Sequence, residues 1–177
     1  MPPSATTDPT TRNLHDILVE AVTVRGLRAY DEADTLIFAD IGIDGREHRL
    51  TPAATAAWLQ LRDAAVRAGV DIRIASSFRS VARQTEIIAA KLAQGELIDD
   101  ILRAVAPPGY SEHHTGRAID IVTPAHPELD VSFATTSAYA WLAEHAAQYR
   151  FTLSYPEGNE AGYQYEPWHW CFQAPNA

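Results

Sequence analysis

The stretch from Pro107 to Val122 constrains the fold of this chain more than any other segment. Two prolines and a glycine interrupt the chain at 107–109, and the polar sequence YSEHHTG follows. Residues 118–122 are then apolar except for one aspartate, which is typical of a strand buried on both faces of a sheet. The sequence therefore predicts a central strand that is entered from a loop crowded with serine, glutamate and histidine.

A clear helix pattern precedes that segment. Thr51 can cap a helix that starts at Pro52, and apolar residues recur at helical spacing up to Ala65, before Gly69 ends the pattern. Further patterns indicate strands at 71–77, 151–155 and 166–172, and helices at 80–95, 99–105 and 133–148. Because these elements follow no regular βαβ order, the expected fold is α+β, with a small, mainly antiparallel sheet flanked by helices.

Composition and charge indicate how the chain is divided into domains and which classes of partner are not expected. Residues 1–12, rich in Pro, Ser and Thr, are expected to form a mobile tail ahead of a single domain at 13–177. The net charge of −9 opposes attraction to phosphate backbones, so no nucleic-acid partner is expected. The sequence contains no run of about 18 apolar residues, so no membrane span is predicted. The first residues lack signal-peptide features, which favours a cytoplasmic protein. The single cysteine, Cys171, cannot form an intrachain disulfide.

The seven histidines fall into two groups. Four lie next to the tail, in polar segments or on a predicted helix, and are expected to be ordinary surface residues. These four are His15, His48, His126 and His145. The other three, His113, His114 and His169, lie in segments dense with Gly, Ser, Thr, Glu and Trp, where a packed core has little use for them. They are therefore candidate metal ligands or catalytic groups.

Two acidic residues stand close to these histidines in the sequence. Asp120 follows His113 by seven residues, so a loop that folds back would bring the two together. The alternative is a buried acid bonded to loop amides, with His113 at the surface. Glu166 precedes His169 by three residues, which on a regular strand places them on opposite faces, so both reach one metal only if Pro167 kinks the chain. The alternative is an edge strand with solvated ends.

Three segments taken together resemble one known family. SSFRS with a glutamine downstream, then SEHHTGRAID, then EPWHW occur in the order found in D-alanyl-D-alanine carboxypeptidases of the VanY type. The resemblance covers residues 71–173 and extends to the hedgehog signalling domain, which shares the small antiparallel sheet and zinc site. It implies one Zn²⁺ per chain, held by His113, Asp120 and His169, with Glu166 as the catalytic base.

The same resemblance implies how substrate is held. Arg79 and Gln84 correspond to family residues placed to hold the terminal carboxylate or the developing oxyanion, and Ser111 is a third contact. Trp168 is expected to pack beneath the site as core, and Tyr110 to line the cleft.

Several positions depart from the family pattern. Ser77 and Phe78 stand where Gly and Tyr are usual, His114 stands where Gln is common, and Cys171 stands where Arg is frequent. Adjacent histidines in an extended chain point in opposite directions, so His114 is expected to face outward or to contact substrate. Cys171 is expected to be a packed thiol. None of these departures removes an implied ligand or the base.

The resemblance implies a carboxypeptidase that releases D-alanine from peptidoglycan stem peptides or muropeptides. Action on tetrapeptides at an L,D bond, in recycling, is favoured because no leader is visible, and D,D-carboxypeptidase action is a close second. The alternatives are a VanX-like dipeptidase, a phage-type endolysin peptidase, and a zinc-binding module without activity. Glu166 argues against the last alternative, since binding alone requires no base.

Overall fold

Helices and strands are mixed along residues 14–174, which are the residues that the computed structural model describes; the tail expected at 1–12 lies outside them. In chain order the elements are α1 (Leu14–Arg25), β1 (Ile37–Ile41), β2 (Glu47–Leu50), α2 (Pro52–Arg67), β3 (Arg73–Ser76), α3 (Val81–Ala93), α4 (Ile98–Ala104), β4 (Ala118–Val122), α5 (Ser137–His145), β5 (Phe151–Leu153) and β6 (His169–Phe172). Short 3₁₀ helices lie at Glu112–Thr115, Val131–Thr135 and Ala146–Tyr149. No helix within these residues has the length and apolar character needed to cross a membrane.

The main sheet has the strand order β3–β4–β6–β5, and every neighbouring pair is antiparallel. β4 lies between β3 and β6, and all of its residues are buried, so the predicted central strand is confirmed. The α+β class with a small antiparallel sheet is confirmed as well. The register places Asp120 of β4 opposite His169 of β6. Two candidate residues that are distant in sequence are thereby set side by side.

The helix predicted after Thr51 is present as α2 and supplies much of the core. The Oγ1 atom of Thr51 accepts a hydrogen bond from the backbone N–H three residues later and so caps the helix. Trp58, Leu61 and Ala65 are fully buried in the same cluster as the apolar residues of β3 and β4. Burying each large apolar side chain contributes roughly 1.5–3 kcal/mol. The indole N–H of Trp58 also donates to Asp40 of β1 at 3.0 Å, which connects β1 to α2.

The two helices predicted after residue 80 are present as α3 and α4. The Oγ atom of Ser80 caps α3 by accepting from a backbone N–H in its first turn. Ile88 of α3 packs against Ile101 and Val105 at α4 in a small second cluster. Gln84, on the same helix as Ile88, is fully buried. The cluster therefore holds α3 in place and with it one of the predicted substrate contacts.

Two parts of the fold were not predicted from the sequence. α1 has no fully buried residue, but Leu14, Ile17, Leu18, Ala21 and Val22 recur at helical spacing, so a helix signal was present in the sequence and was overlooked. β1 and β2 form a separate two-stranded antiparallel hairpin. β1 exposes Ile37, Phe38 and Ile41, and its register shifts between Phe38 and Asp40. These features disrupt the alternation of apolar and polar residues by which such strands are recognised.

The helix predicted at 133–148 is present in its middle part as α5, but its bounds and its continuity are wrong. The segment forms a 3₁₀ helix, then α5, then a second 3₁₀ helix. Thr136 has an extended backbone, with φ −81° and ψ 154°, and its side chain accepts from the N–H of Tyr139. A hydroxyl that caps a new helix start competes with continuation of the preceding helix. The helical conformation is therefore interrupted at Thr136.

Candidate metal centre

Three side chains converge where the loop before β4 meets the sheet. Nε2 of His113 lies 3.3 Å from Oδ2 of Asp120, and Nδ1 of His169 lies 3.0 Å from Oδ1 of the same carboxylate. Ligand atoms of all three residues lie within 4.8 Å of one another, and all three residues are buried. Two imidazole nitrogens and one carboxylate oxygen form the three-ligand donor set that is typical of catalytic zinc sites. The residues present therefore fit the ion that the sequence implied.

A backbone carbonyl orients His113. The ring Nδ1 lies 2.7 Å from the carbonyl oxygen of Ser77, so Nδ1–H donates there and the lone pair of Nε2 faces Asp120. Ser111 caps the 3₁₀ helix by accepting from the backbone N–H of His113 at 3.3 Å. Gly116, with φ +62°, ends that helix and turns the chain into β4. Burial lowers the pKa of His113, which favours the neutral form that binds metal.

A carboxylate orients His169. The ring Nε2–H donates to Oε2 of Glu112 at 2.9 Å, which leaves Nδ1 facing Asp120. The hydroxyl of Ser154 donates to the same oxygen at 2.6 Å. Burial opposes ionisation of Glu112, but the bonds from His169 and Ser154 hold the pKa of that carboxyl at about 2. Sequence reasoning missed Glu112; the available signal is its place beside the candidate ligand in SEHH.

Glu166 reaches the same centre from a turn. The backbone N–H of His169 donates to the carbonyl oxygen of Glu166 at 3.0 Å, so the chain turns at Pro167 before β6 starts, as the sequence required. Oε2 of Glu166 lies 4.0 Å from Nδ1 of His169. Burial raises the pKa of Glu166 to about 8. A carboxylate with a raised pKa is a stronger proton acceptor, which suits a general base.

A cavity of about 360 Å³ opens over the centre and brings the predicted site residues together. Its walls include Arg79, Gln84, Ser111, His113, Asp120, Glu166 and His169. One guanidinium nitrogen of Arg79 donates to Oε1 of Gln84 at 2.9 Å, and another donates to the hydroxyl of Ser76 at 3.1 Å. Both partners are neutral, and burial lowers the pKa of the guanidinium. The cavity therefore contains an arginine whose charge meets no carboxylate in these contacts.

The expectation that His114 faces outward or contacts substrate is wrong. His114 is fully buried, and it is absent from the walls of the cavity. Its Nδ1–H donates to the carbonyl oxygen of Arg79 at 2.6 Å, and its Nε2 accepts from the N–H of Gly109 at 3.1 Å. The expectation assumed an extended chain, whereas the segment is a 3₁₀ helix, in which neighbouring side chains do not point in opposite directions.

One histidine expected at the surface is buried. His48 is 7% exposed, and its Nδ1 lies 2.9 Å from the hydroxyl of Ser77. That expectation is therefore wrong, because β2 pairs with β1 and turns this side chain toward the segment that follows β3. His15 is exposed, and His126 and His145 are partly exposed.

Three further side chains were assigned places near the site. Trp168 is buried in the main core as expected, but it also lines the cavity, so the expectation that it acts as core rather than as a substrate contact is only partly confirmed. Cys171 is a buried thiol, also as expected. Tyr110 lines neighbouring cavities rather than this one, so the expectation that it lines the cleft is wrong.

A match to a known family covers the whole centre. The model of VanY, described as D-alanyl-D-alanine carboxypeptidase, matches residues 47–175. The chain belongs to the VanY family. The matched segment contains all three residues of the metal donor set, Glu166 and the three predicted substrate contacts.

Individual VanY-type relatives show how far the likeness extends. The putative carboxypeptidase YodJ of Bacillus subtilis is 38% identical over 111 residues, which are 60% of this chain and 40% of YodJ. This chain therefore spans less than half the length of YodJ. The solved LdcB LD-carboxypeptidase has a TM-score of 0.71 at 31% identity, covering 80% of this chain and 69% of LdcB. A VanY D,D-pentapeptidase mutant in complex with Zn(II) has a TM-score of 0.61 at 28% identity, covering 81% and 79% of the two chains.

Proposed function

We propose that this VanY-family chain is a zinc-dependent carboxypeptidase that releases the C-terminal D-alanine from peptidoglycan stem peptides. The observation that carries the proposal is that one cleft contains a metal donor set, the buried carboxylate of Glu166 and the partly buried cation of Arg79. A peptidase that acts at a free chain end needs all three: a Lewis acid, a base and a counter-charge for the terminal carboxylate. A VanY relative solved in complex with D-alanine-D-alanine supports this substrate class.

The proposed chemistry assigns Glu166 the proton transfers. Zinc held by His113, Asp120 and His169 would polarise the scissile carbonyl and lower the pKa of a water molecule. Glu166 takes a proton from that water as the water attacks the carbonyl carbon. Glu166 then delivers the proton to the departing amine of D-alanine as the peptide bond breaks.

Arg79 binds the terminal carboxylate of the substrate in this proposal. Its guanidinium donates hydrogen bonds to two neutral partners, so an incoming carboxylate would form a direct ion pair that these two contacts do not supply. Gln84 fixes the direction of the guanidinium, and it is itself held by a bond from its Nε2 to the carbonyl oxygen of Ala106 at 2.7 Å. Ser111, buried in the same cavity, supplies a third polar contact.

We further propose that the favoured substrate is the tetrapeptide, cleaved at its L,D bond, with D,D cleavage of the pentapeptide second. The higher TM-score and identity to the LdcB LD-carboxypeptidase than to the VanY D,D-pentapeptidase support this order. The cytoplasmic location expected from the sequence stays a prediction.

The test is release of D-alanine from muramyl tetrapeptide and muramyl pentapeptide, followed by mass spectrometry on zinc-loaded protein. We expect release by the wild type and a loss of about 10²–10⁴-fold in kcat for Glu166→Gln, which removes the base but leaves the donor set. Glu144→Gln, on the exposed face of α5, is the matched control and should keep full activity. Bound zinc is measured in each sample, so that loss of metal is distinguished from loss of the base.

Two results would contradict the proposal. If zinc-loaded wild type releases no D-alanine from either peptide, carboxypeptidase action is excluded. An L,D-endopeptidase or binding role is then the better account. If the pentapeptide is cleaved faster than the tetrapeptide, the L,D preference is wrong while the enzyme class stands. D-alanyl-D-alanine is included as a third substrate because a VanXYg D,D-dipeptidase is among the solved relatives, at a TM-score of 0.62.

A further inference from the structure

The two histidines of the donor set are held by acceptors of different charge. His113 donates from Nδ1 to the neutral carbonyl of Ser77 at 2.7 Å. His169 donates from Nε2 to the carboxylate of Glu112 at 2.9 Å. A negative acceptor on the far side of an imidazole increases electron density at the metal-facing nitrogen, whereas a neutral carbonyl does so less. The metal-facing nitrogen of His169 is therefore the stronger donor of the two.

Glu112 is itself fixed in place rather than mobile. Its side chain is 15% exposed, and Oε2 accepts both the ring N–H of His169 and the hydroxyl of Ser154, the latter at 2.6 Å. Ser154 lies directly after β5, and its backbone N–H donates to the carbonyl oxygen of His169. The ring of Tyr155 lies with its centroid 4.7 Å from that of His169 and limits rotation of the imidazole. Glu112, Ser154 and Tyr155 thus surround the part of His169 that faces away from the metal position.

Glu112 links the two halves of the centre. It lies next to His113 on the 3₁₀ helix, but its carboxylate contacts the ligand on β6, 57 residues further along the chain. The loop that carries one histidine therefore holds the ring of the other. Glu112 is not itself an additional ligand, because it contacts Nε2 of His169 while Asp120 faces Nδ1 on the other side of the ring.

We propose that Glu112 is the positioning residue that sets the zinc affinity of this centre through His169. Its carboxylate selects the His169 tautomer whose Nδ1 lone pair faces Asp120, and its charge strengthens that nitrogen as a donor. This inference rests on the same metal site as the proposed function, but it concerns metal binding rather than turnover. It therefore has a test that does not depend on any peptide substrate.

The experiment is zinc affinity by competition with a chromophoric chelator, for wild type, Glu112→Gln, Glu112→Ala and the exposed control Glu144→Gln. Glu112→Gln keeps an acceptor oxygen of the same shape and removes the charge, so it separates charge from packing. We expect zinc binding about 10–100-fold weaker for Glu112→Ala, an intermediate loss for Glu112→Gln, and no change for Glu144→Gln. Cobalt-loaded Glu112→Gln should also show shifted d–d absorption bands, because the ligand field of His169 changes.

The proposal is overturned if Glu112→Gln, folded by circular dichroism, binds zinc within about twofold of wild type and gives an unchanged cobalt spectrum. A merely structural Glu112 would produce that result together with lower thermal stability. D-alanine release by the wild type is measured in parallel. If the wild type releases no D-alanine but the zinc affinities follow the expected order, the proposed function is contradicted and the proposed role of Glu112 is still supported.

Discussion

Substitution of Gly116 by alanine tests the turn on which the centre depends. Gly116 is buried between His113 and Asp120, and its φ of +62° is a conformation that costs an L-residue about 1–2 kcal/mol. An added Cβ would lie 2.7 Å from Cδ2 of Leu36 and 3.3 Å from Cγ2 of Thr51. The contact with Leu36 is too short, so the end of this flexible side chain must move aside. The contact with Thr51 is tight, so Thr51 or the turn must also shift by a few tenths of an ångström. Such overpacking typically costs about 1–3 kcal/mol.

The expected loss for Gly116→Ala is therefore about 2–5 kcal/mol of unfolding free energy, adding the conformational and contact contributions. Gly69 provides a matched control, because its φ is +76° and an added Cβ meets no atom within 4 Å. Gly69→Ala shares the conformational cost and the change in unfolded-state entropy. The difference between the two variants isolates the contact contribution, about 1–3 kcal/mol.

Urea unfolding followed by circular dichroism measures this difference. With a slope of about 2 kcal/mol/M, Gly116→Ala should lower the midpoint by roughly 1–2.5 M. Zinc affinity should fall for Gly116→Ala and stay unchanged for Gly69→Ala, because only the first turn lies between two members of the donor set. Equal midpoints for the two variants would contradict this expectation, because the contacts with Leu36 and Thr51 would then have no energetic effect.

Two polar side chains outside the donor set, the buried His114 and the partly buried Arg25, allow further predictions. His114→Leu should lower the free energy of unfolding by about 2–4 kcal/mol, because the carbonyl of Arg79 and the N–H of Gly109 both lose a partner. The measurement is urea unfolding. His114→Gln should lower the free energy of unfolding by less, because a glutamine side chain can both donate and accept. Arg25→Ala should cost about 2–4 kcal/mol, because its guanidinium donates to two backbone carbonyls at 2.7 and 2.8 Å. Arg67→Ala, exposed in the last turn of α2, is the control, and a loss as large as that of Arg25→Ala would contradict this account.

Much of the centre was accessible before the fold was known, but by different routes. The residue types alone left Asp120 open between a ligand and a structural acid, and it was the family resemblance that assigned the donor set. The structure brings His113, Asp120 and His169 together in the way that assignment requires. The kink at Pro167 followed from the period of a strand, since Glu166 and His169 face one centre only if the chain turns between them.

Elements whose signal lies within one short segment were predictable from the residue pattern alone. α2 was predictable because its cap and apolar stripe lie within one segment. β4 was predictable because a strand buried on both faces is apolar at nearly every position, here at all but Asp120. The burial of His48 and His114 and the contact between Glu112 and His169 depend instead on how the elements pack in the folded protein. In each case the partner lies 29 or more residues away or on an unexpected turn, so burial and hydrogen bonding depend on how separate elements pack rather than on neighbouring residue types.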